Sequence, residues 1–327
     1  MTFLLYAFDG YGQHYQFSQF YAAPTYLNPA LTGANVCSRL SLNYRNQWSG
    51  VPGTFTTFQA SLDHTLKKVN SGLGIIFYRD VAGLGSLSTT RISFLYAYEA
   101  KINKNLIARG GLSLGSIQRK VDYSLLTFGD QLANGSNSTV EGFSQIGITY
   151  FDIGTGLFIY SKKAWMGFAA DHLNKPNQSF MNETSPLPIE IRFHGGYKIV
   201  LNDRTASEIR DHEIDEISFA YNFKRQNRFN QIDLGFYYSK NKFVLGMWYR
   251  GIPLFKPTRD YQNNDALVFL FGILLAKCKI GYSFDYTLSK LSIASSKGAH
   301  EISLSYQLCN SRKEKKKKNI LISCPRF

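Results

Sequence analysis

Between residues 39 and 309, apolar and polar side chains alternate in stretches of roughly ten residues, and each stretch ends in a turn. In one of them Ile302, Leu304, Tyr306 and Leu308 are separated by polar residues. Successive side chains of a strand point to opposite faces, so each stretch would carry one apolar and one polar face. This alternation predicts a transmembrane β-barrel with its apolar face towards lipid and its polar face towards the lumen.

The pattern predicts a single all-β domain, a transmembrane antiparallel β-barrel of about 14 strands over residues 39–309. The longest apolar run, residues 266–276, is shorter than the roughly 20 residues of a spanning helix and suits a tilted strand of about 9–11. Residues 142–150 could form one more strand. Because barrels of this kind have an even strand number, we expect these residues to lie in a long loop over residues 119–152, before a strand at 153–160.

The connections between these strands alternate in length. Short turns, most of them bearing lysine, alternate with longer segments such as residues 119–152, 172–188 and 251–263. In outer-membrane barrels the short turns are periplasmic and the long loops are outside, which would place both termini in the periplasm. The flanking regions are expected to be a residual signal peptide (1–14), an ordered N-terminal periplasmic extension or plug (15–38) and a basic periplasmic tail (310–327).

The net charge of +14 would permit a nucleic-acid-binding surface, but the lysines are spread over the turns and show no recognition motif. We therefore expect outer-membrane lipid around the barrel and no nucleic-acid partner. The basic run at 312–318 is interpreted as a solvated tail, with docking to an acidic periplasmic partner or to anionic headgroups as the alternative.

Three short motifs stand at the start, near the start and in the middle of the chain. The first motif includes Gln16, Phe17, Ser18, Gln19, Tyr21, Pro24, Leu27, Asn28, Pro29 and Gly33. The second is Asn43, Tyr44, Arg45, Asn46, Gln47 and Trp48, and the third contains His172 and Pro176. In this order they resemble the signatures of the PorP/SprF family, from which Phe20, Ala23 and Leu31 depart. The terminal residues 324–327 resemble an ending of the same group.

This resemblance implies an outer-membrane barrel of the type IX secretion and gliding system of Bacteroidota. It also implies support for the export or cell-surface attachment of a large adhesin-like protein, whose C-terminal domain is held at the outer face. Contacts with periplasmic components of the type IX machinery are implied as well. An outer-membrane channel or solute transporter with an open lumen is the alternative, and planar-bilayer conductance distinguishes the two.

The first motif also has a direct physical interpretation. Pro24 and Pro29 fix the backbone and interrupt helix or strand, and Gly33 permits a turn. The aromatic side chains of this segment are too apolar to remain in water, so we expect it to pack inside or beneath the barrel as a plug.

Four cysteines, Cys37, Cys278, Cys309 and Cys324, are placed by the predicted topology near the seam where the first and last strands meet. The periplasm permits disulfides, so at least one bridge is expected there, with three pairings open and free thiols as the alternative. A zinc site is disfavoured because the spacings contain no C-x-x-C pair. No catalytic or cofactor motif appears, so neither an enzymatic activity nor a cofactor is predicted.

Overall fold

The structure is a computed structural model and describes residues 16–84, 86–135, 146–180, 183–201, 215–252, 263–288 and 293–309. Fourteen antiparallel strands form a closed barrel, in which each strand pairs with its neighbours in the chain and β1 pairs with β14. The strands are β1 (Ser38–Gln47), β2 (Phe55–Leu66), β3 (Ser71–Ala82), β4 (Leu87–Lys101), β5 (Ile107–Val121), β6 (Ile146–Tyr160), β7 (Ala164–Asp171), β8 (Glu190–Val200), β9 (Glu216–Gln226), β10 (Phe229–Lys240), β11 (Phe243–Ile252), β12 (Asn263–Leu274), β13 (Cys278–Thr287) and β14 (Ala299–Leu308). The predicted single barrel of 14 strands is confirmed.

Among the described residues, helical structure is limited to short elements in the N-terminal segment and in connections between strands. The helices are α1 (Pro24–Leu27), α2 (Gly129–Asn134) and α3 (Ile293–Ser296), and 3-10 turns lie at Pro29–Leu31, Lys67–Val69 and Tyr123–Leu125. In the part of the chain that the structure describes, no helix is both long enough and apolar enough to cross a membrane.

The alternation of the sequence becomes an apolar outer face and a buried inner face. On β5, Leu112 and Leu114 are exposed, whereas Ser113 between them is buried. On β4, Phe94 is exposed on the same outer face and Ser93 is buried. An apolar surface that encircles a barrel is stable in hydrocarbon and not in water, so this face contacts lipid.

The sixth strand begins earlier than the alternation predicts. β6 starts at Ile146, so the assignment of residues 146–150 to a loop is wrong. Near the loop-side end of this strand, Tyr150 pairs with buried Ile117 of β5, while Thr149 is exposed on the outer face. The polarity of the two faces is reversed there, which is why a rule that places apolar residues outside misses this end of the strand.

The two rims of the barrel differ as the connection lengths indicate. The turn rim carries the short connections β2–β3, β4–β5, β6–β7, β10–β11 and β12–β13 and the longer β8–β9 connection, together with the start of β1 and the end of β14. The loop rim carries the opposite connections, including α2 and α3. Residues 1–15 and 310–327 lie outside the described residues, so the signal peptide and the basic tail stay predictions.

A disulfide joins Cys37 to Cys309, whose Cα atoms are 5.0 Å apart. The two residues flank the seam at which Ser38 of β1 pairs with Leu308 of β14. Cys278 is a half-buried free thiol at the start of β13, and Cys324 lies outside the described residues. The bridge therefore fastens the closing strand pair at the turn rim.

Replacing Cys37 by serine should lower the free energy of unfolding by about 2–4 kcal/mol, because the bridge restricts the unfolded chain. Urea unfolding in detergent micelles measures this change, and Cys278→Ser, which removes a free thiol, is the matched control. Peptide mapping without reductant should recover residues 37 and 309 in one linked species. Equal alkylation of Cys37, Cys278 and Cys309 before reduction would contradict the bridge.

Candidate functional site

Residues 16–33, here called the lumenal segment, lie inside the barrel and are almost entirely buried. The backbone N–H groups of Ser18 and Gln19 donate hydrogen bonds to the Glu301 carboxylate, at 2.7 and 3.1 Å. The Gln19 side-chain amide donates to the Ser283 hydroxyl at 3.2 Å and accepts from the Ser303 hydroxyl at 2.6 Å. These bonds fix the register of the segment against β13 and β14.

The Ser18 hydroxyl lies at the centre of a buried charge cluster. It donates to Asp285 at 2.7 Å and accepts from Arg45 at 2.6 Å and Arg250 at 2.8 Å. Arg45 also pairs with Asp285 at 2.8 Å and with Glu301 at 3.3 Å. A hydroxyl offers one donor and two acceptor positions, and here all three are used. Ser18 therefore connects the segment to cations and carboxylates from four strands.

Further ion pairs continue around the loop-side half of the lumen as a charged belt. Its members are Arg45, Glu301, Asp285, Arg250, Asp233, Lys224, Glu190, Arg192, Asp171, Arg91 and Asp152. Neighbouring pairs include Arg250 with Asp233 at 2.9 Å, Lys224 with Glu190 at 3.2 Å and Arg91 with Asp152 at 3.1 Å. These five cations and six carboxylates nearly balance. Removing Arg45, for example, would leave the buried Glu301 carboxylate without its cation.

Asn28 fixes the middle of the segment. Its side-chain N–H groups donate to the backbone carbonyls of Leu157 at 3.0 Å and Phe168 at 3.1 Å, and its carbonyl oxygen accepts from the Ala30 N–H at 2.9 Å. The same amide nitrogen lies 3.1 Å from Nε2 of His194. The sequence suggests a solvated lumenal histidine at this position, and that interpretation is wrong, because the segment covers His194 completely.

A row of small residues on β3 to β7, across the lumen from β13 and β14, leaves space for the lumenal segment. Register places Gly72, Ala97, Gly111, Gly156 and Ala169 side by side on β3 to β7. A Cβ atom on Gly111 would lie 2.3 Å from the Ala30 nitrogen, and one on Gly156 would lie 2.0 Å from Oδ1 of Asn28. The 3-10 turn at Pro29–Leu31 therefore packs directly on the backbone of the wall.

Aromatic side chains fill the lumen beneath the belt. The Tyr21 ring lies between Trp165 and Trp248, with centroids 6.0 and 6.2 Å away, and its hydroxyl accepts from Nε1 of Trp165 at 3.1 Å. Phe20 packs against Trp248 at 4.8 Å. Trp165 is a candidate in sequence for the aromatic girdle that barrels carry at the membrane interfaces, but that assignment is wrong, because its ring faces the lumen and is buried.

Tyr26 contacts the charged belt from the segment side. The Arg192 guanidinium lies 5.1 Å from the centre of the Tyr26 ring and donates to the Tyr26 backbone carbonyl. Burial raises the pKa of the Tyr26 hydroxyl, the Glu190 carboxylate raises it further, and Arg192 opposes both. An internal cavity of about 20 Å³ beside Tyr26 and Thr25 has room for a water-sized molecule.

The structure brings much of the first motif and part of the second to the lumen. Besides the contacts above, Phe17 packs edge-on against Tyr26 at 5.1 Å, and the Gly33 N–H donates to Asp63 at 2.8 Å. Arg45 of the second motif joins the charged belt, with Gln47 accepting from it at 3.3 Å. Of the predicted N-terminal extension over residues 15–38, the structure describes residues 16–38.

Other motif residues lie elsewhere. Tyr44 is exposed to lipid on the outer face of β1. Trp48 lies on the loop rim, where its backbone N–H donates to the Gly298 carbonyl at 2.8 Å. His172 faces Asp152 at 2.7 Å from the loop rim, and the Pro176 carbonyl accepts from the Leu187 N–H at 2.8 Å. Asn43 is buried on the lumenal side of β1.

Sequence reasoning did not identify most residues of the charged belt as neighbours of the lumenal segment. Arg250, Glu190, Asp171 and Arg91 occupy ordinary polar positions of alternating strands and have no fixed spacing to one another. Their proximity follows from barrel register alone. Among the described residues, no group of three or more histidine, cysteine or acidic side chains is arranged to hold a metal ion.

Together these features define a class: a membrane-spanning β-barrel with an apolar outer face and a lumen filled by its own N-terminal segment. The family of the type IX secretion system membrane protein PorP/SprF matches residues 9–306. The chain belongs to this family, and the predicted membership is confirmed. It is thus a membrane β-barrel of type IX secretion.

Comparison with solved structures gives distant likenesses. The toluene transporter TbuX of Ralstonia pickettii has 10% identity and a TM-score of 0.48, covering 88% of this chain and 94% of that chain. The toluene transporter TodX of Pseudomonas putida has 12% identity and a TM-score of 0.47, covering 87% and 92%. At such values, what those proteins transport does not extend to this chain. No curated protein matches the sequence.

Proposed function

We propose that this protein is an outer-membrane barrel of the type IX secretion and gliding system that supports export or cell-surface attachment of a large adhesin-like protein by protein–protein contact. The observation that carries the proposal is the filled lumen. The lumenal segment, the charged belt and the aromatic side chains beneath it occupy the space through which a substrate would pass. The rims are therefore the surfaces available to a partner.

Loop lengths favour the loop rim as the outer one, with both termini and the turn rim in the periplasm. The turn rim would then face periplasmic components of the machinery. An epitope inserted after Asn134 should be accessible to antibody on intact cells, and the same epitope after Asn103 should become accessible only after the outer membrane is permeabilised. The reverse pattern would overturn this orientation.

The loop rim carries exposed apolar side chains suited to a protein partner. Leu132 on α2 is 75% exposed, and Leu125 at the end of the preceding 3-10 turn is 56% exposed. Leu84 on the β3–β4 connection is also exposed. Exposed apolar side chains outside the lipid-facing band favour a contact with another protein.

Changing Leu125 and Leu132 together to serine should reduce recovery of the adhesin-like partner at least several-fold, because burying a leucine side chain at a contact contributes about 1.5–3 kcal/mol. The measurement is affinity purification of the tagged barrel from native membranes, with quantification of co-purified proteins. The matched control changes Val69 and Ile102, two exposed apolar residues of the turn rim, to serine. Equal recovery from both variants would contradict contact through this part of the loop rim.

The alternative of an open channel predicts a different electrical behaviour. With the lumenal segment seated, we expect no steady current through the purified protein in a planar bilayer. Stable conductance of the unmodified protein would support the channel and overturn the proposal of a filled barrel that acts by contact.

A further inference from the structure

A groove of about 610 Å³ crosses the lipid-facing surface of β7 to β10. Its walls are the outward side chains Met166, Tyr197, Phe219, Leu234 and Phe236. This volume falls in the range of about 300–1,000 Å³ that small-molecule sites occupy.

The floor of the groove is thin because small residues meet there. Gly196, Ala220 and Gly235 pair side by side on β8, β9 and β10. On the lumenal side, Trp165 and Trp248 cover the two glycines so closely that an added Cβ would lie 2.4 Å from either ring. The rings support the floor from inside, so the groove is fixed by the packed lumen and can accept an occupant without rearrangement.

The groove lies close to the turn rim, beside exposed lysines. Lys162 and Lys163 form the β6–β7 turn and are exposed. The Lys163 carbonyl accepts from the Lys198 N–H at 2.7 Å, next to the groove wall at Tyr197. Met166 follows Lys163 by three residues, which is roughly 10 Å along a strand. That separation matches the distance between the phosphate of a lipid and the upper part of its acyl chains.

We propose that this groove is a binding site for one anionic glycerophospholipid, whose acyl chain lies between Tyr197 and Phe236 and whose phosphate is bound by Lys162 and Lys163. The groove alone would accept any apolar chain, and the lysines supply the complementary charge. Because the turn rim is assigned to the periplasmic side, the lipid belongs to the inner leaflet. The site is independent of the contact with a secreted partner.

Native mass spectrometry tests whether the site prefers an anionic lipid. The full-length protein is stripped of lipid in detergent and then titrated with phosphatidylglycerol or phosphatidylcholine. The unmodified protein should retain one phosphatidylglycerol preferentially. Changing Lys162 and Lys163 to glutamine should weaken that retention about twenty-fivefold, since each lysine near an anionic surface contributes a factor of about five. The control changes Lys101 and Lys104 to glutamine, the same loss of charge at the end of β4 and in the β4–β5 turn, away from the strands that form the groove.

A second pair of variants tests the groove. Leu234→Trp should fill it and abolish preferential retention, whereas Leu245→Trp, the same exchange at an exposed position on β11 outside the groove, should leave retention unchanged. Heat-modifiable migration on gels confirms that each barrel is folded. Equal retention by both tryptophan variants, equal retention of the two lipids, or equal loss in both lysine variants would overturn the proposal. Occupation by an acylated protein in place of a phospholipid would also overturn it.

Discussion

Arg45→Ala should release the lumenal segment and lower the free energy of unfolding by about 3–5 kcal/mol, the cost of removing one partner from a buried charge pair. Arg45 is 2% exposed and contacts Ser18, Asp285 and Glu301. Arg250 still faces Asp285 in the variant, but Glu301 loses its cation. The Glu301 carboxylate is then held by the backbone N–H groups of the segment alone.

The release can be measured with a cysteine placed at Ala23, which is fully buried in the segment. Maleimide labelling of this site, followed by mass spectrometry to separate it from Cys278, should accelerate at least tenfold when Arg45 is replaced. Planar-bilayer recordings should show current that the unmodified protein lacks. Arg79→Ala is the control, because Arg79 is exposed on the outer face of β3. If labelling stays slow while stability falls, Arg45 stabilises the barrel wall and does not retain the segment.

Periodicity predicts the wall of this protein well because the membrane imposes a simple rule on it. Every strand that crosses lipid must show an apolar face, and the alternation records that requirement residue by residue. The rule fails where lipid is absent. At the loop-side end of β6, Tyr150 faces inward and Thr149 outward, so the strand continues while its apparent polarity is reversed.

The contents of the lumen are harder to predict, because the inner face is neither uniformly polar nor wet. Trp165, Tyr237 and Trp248 face inward and bury their rings against Phe20 and Tyr21. The alternation puts Tyr237 and Trp248 on the inner face, but aromatic rings there contradict the expectation of a polar lumen. A segment that supplies a second apolar surface explains why these rings are buried inside.

The family motifs gain a common physical explanation from this arrangement. Ser18 and Gln19 form hydrogen bonds with one wall of the barrel, and Asn28 forms them with the opposite wall. Arg45 on β1 donates a hydrogen bond to the Ser18 hydroxyl. Each of these residues is held by hydrogen bonds between the segment and the barrel wall. The first motif and Arg45 of the second thus describe a segment and part of its binding site within one molecule.

Gly111→Leu should displace the segment without removing any polar partner, because its Cβ would lie 2.3 Å from the Ala30 nitrogen. We expect rapid labelling at residue 23 and a loss of about 1–3 kcal/mol, the usual cost of overpacking. Gly110→Leu is the matched control: it is the adjacent residue of β5 on the opposite face, and the nearest atom to its Cβ would be Cδ2 of Leu157 at 3.9 Å. Fast labelling in both variants, or in neither, would contradict the claim that the row of small residues provides the surface on which the segment packs.

Combining Gly111→Leu with Arg45→Ala tests whether the segment is a single cooperative unit. The two residues lie on strands β5 and β1, four positions apart around the barrel, so independent local effects should add to within about 0.5 kcal/mol. If each substitution displaces the whole lumenal segment, the second substitution has no further effect on it. The double variant should then lose little more stability than Arg45→Ala alone, and its labelling should be no faster. Full additivity would show that the two ends of the segment leave the wall separately, and that the filled lumen consists of two independent contacts.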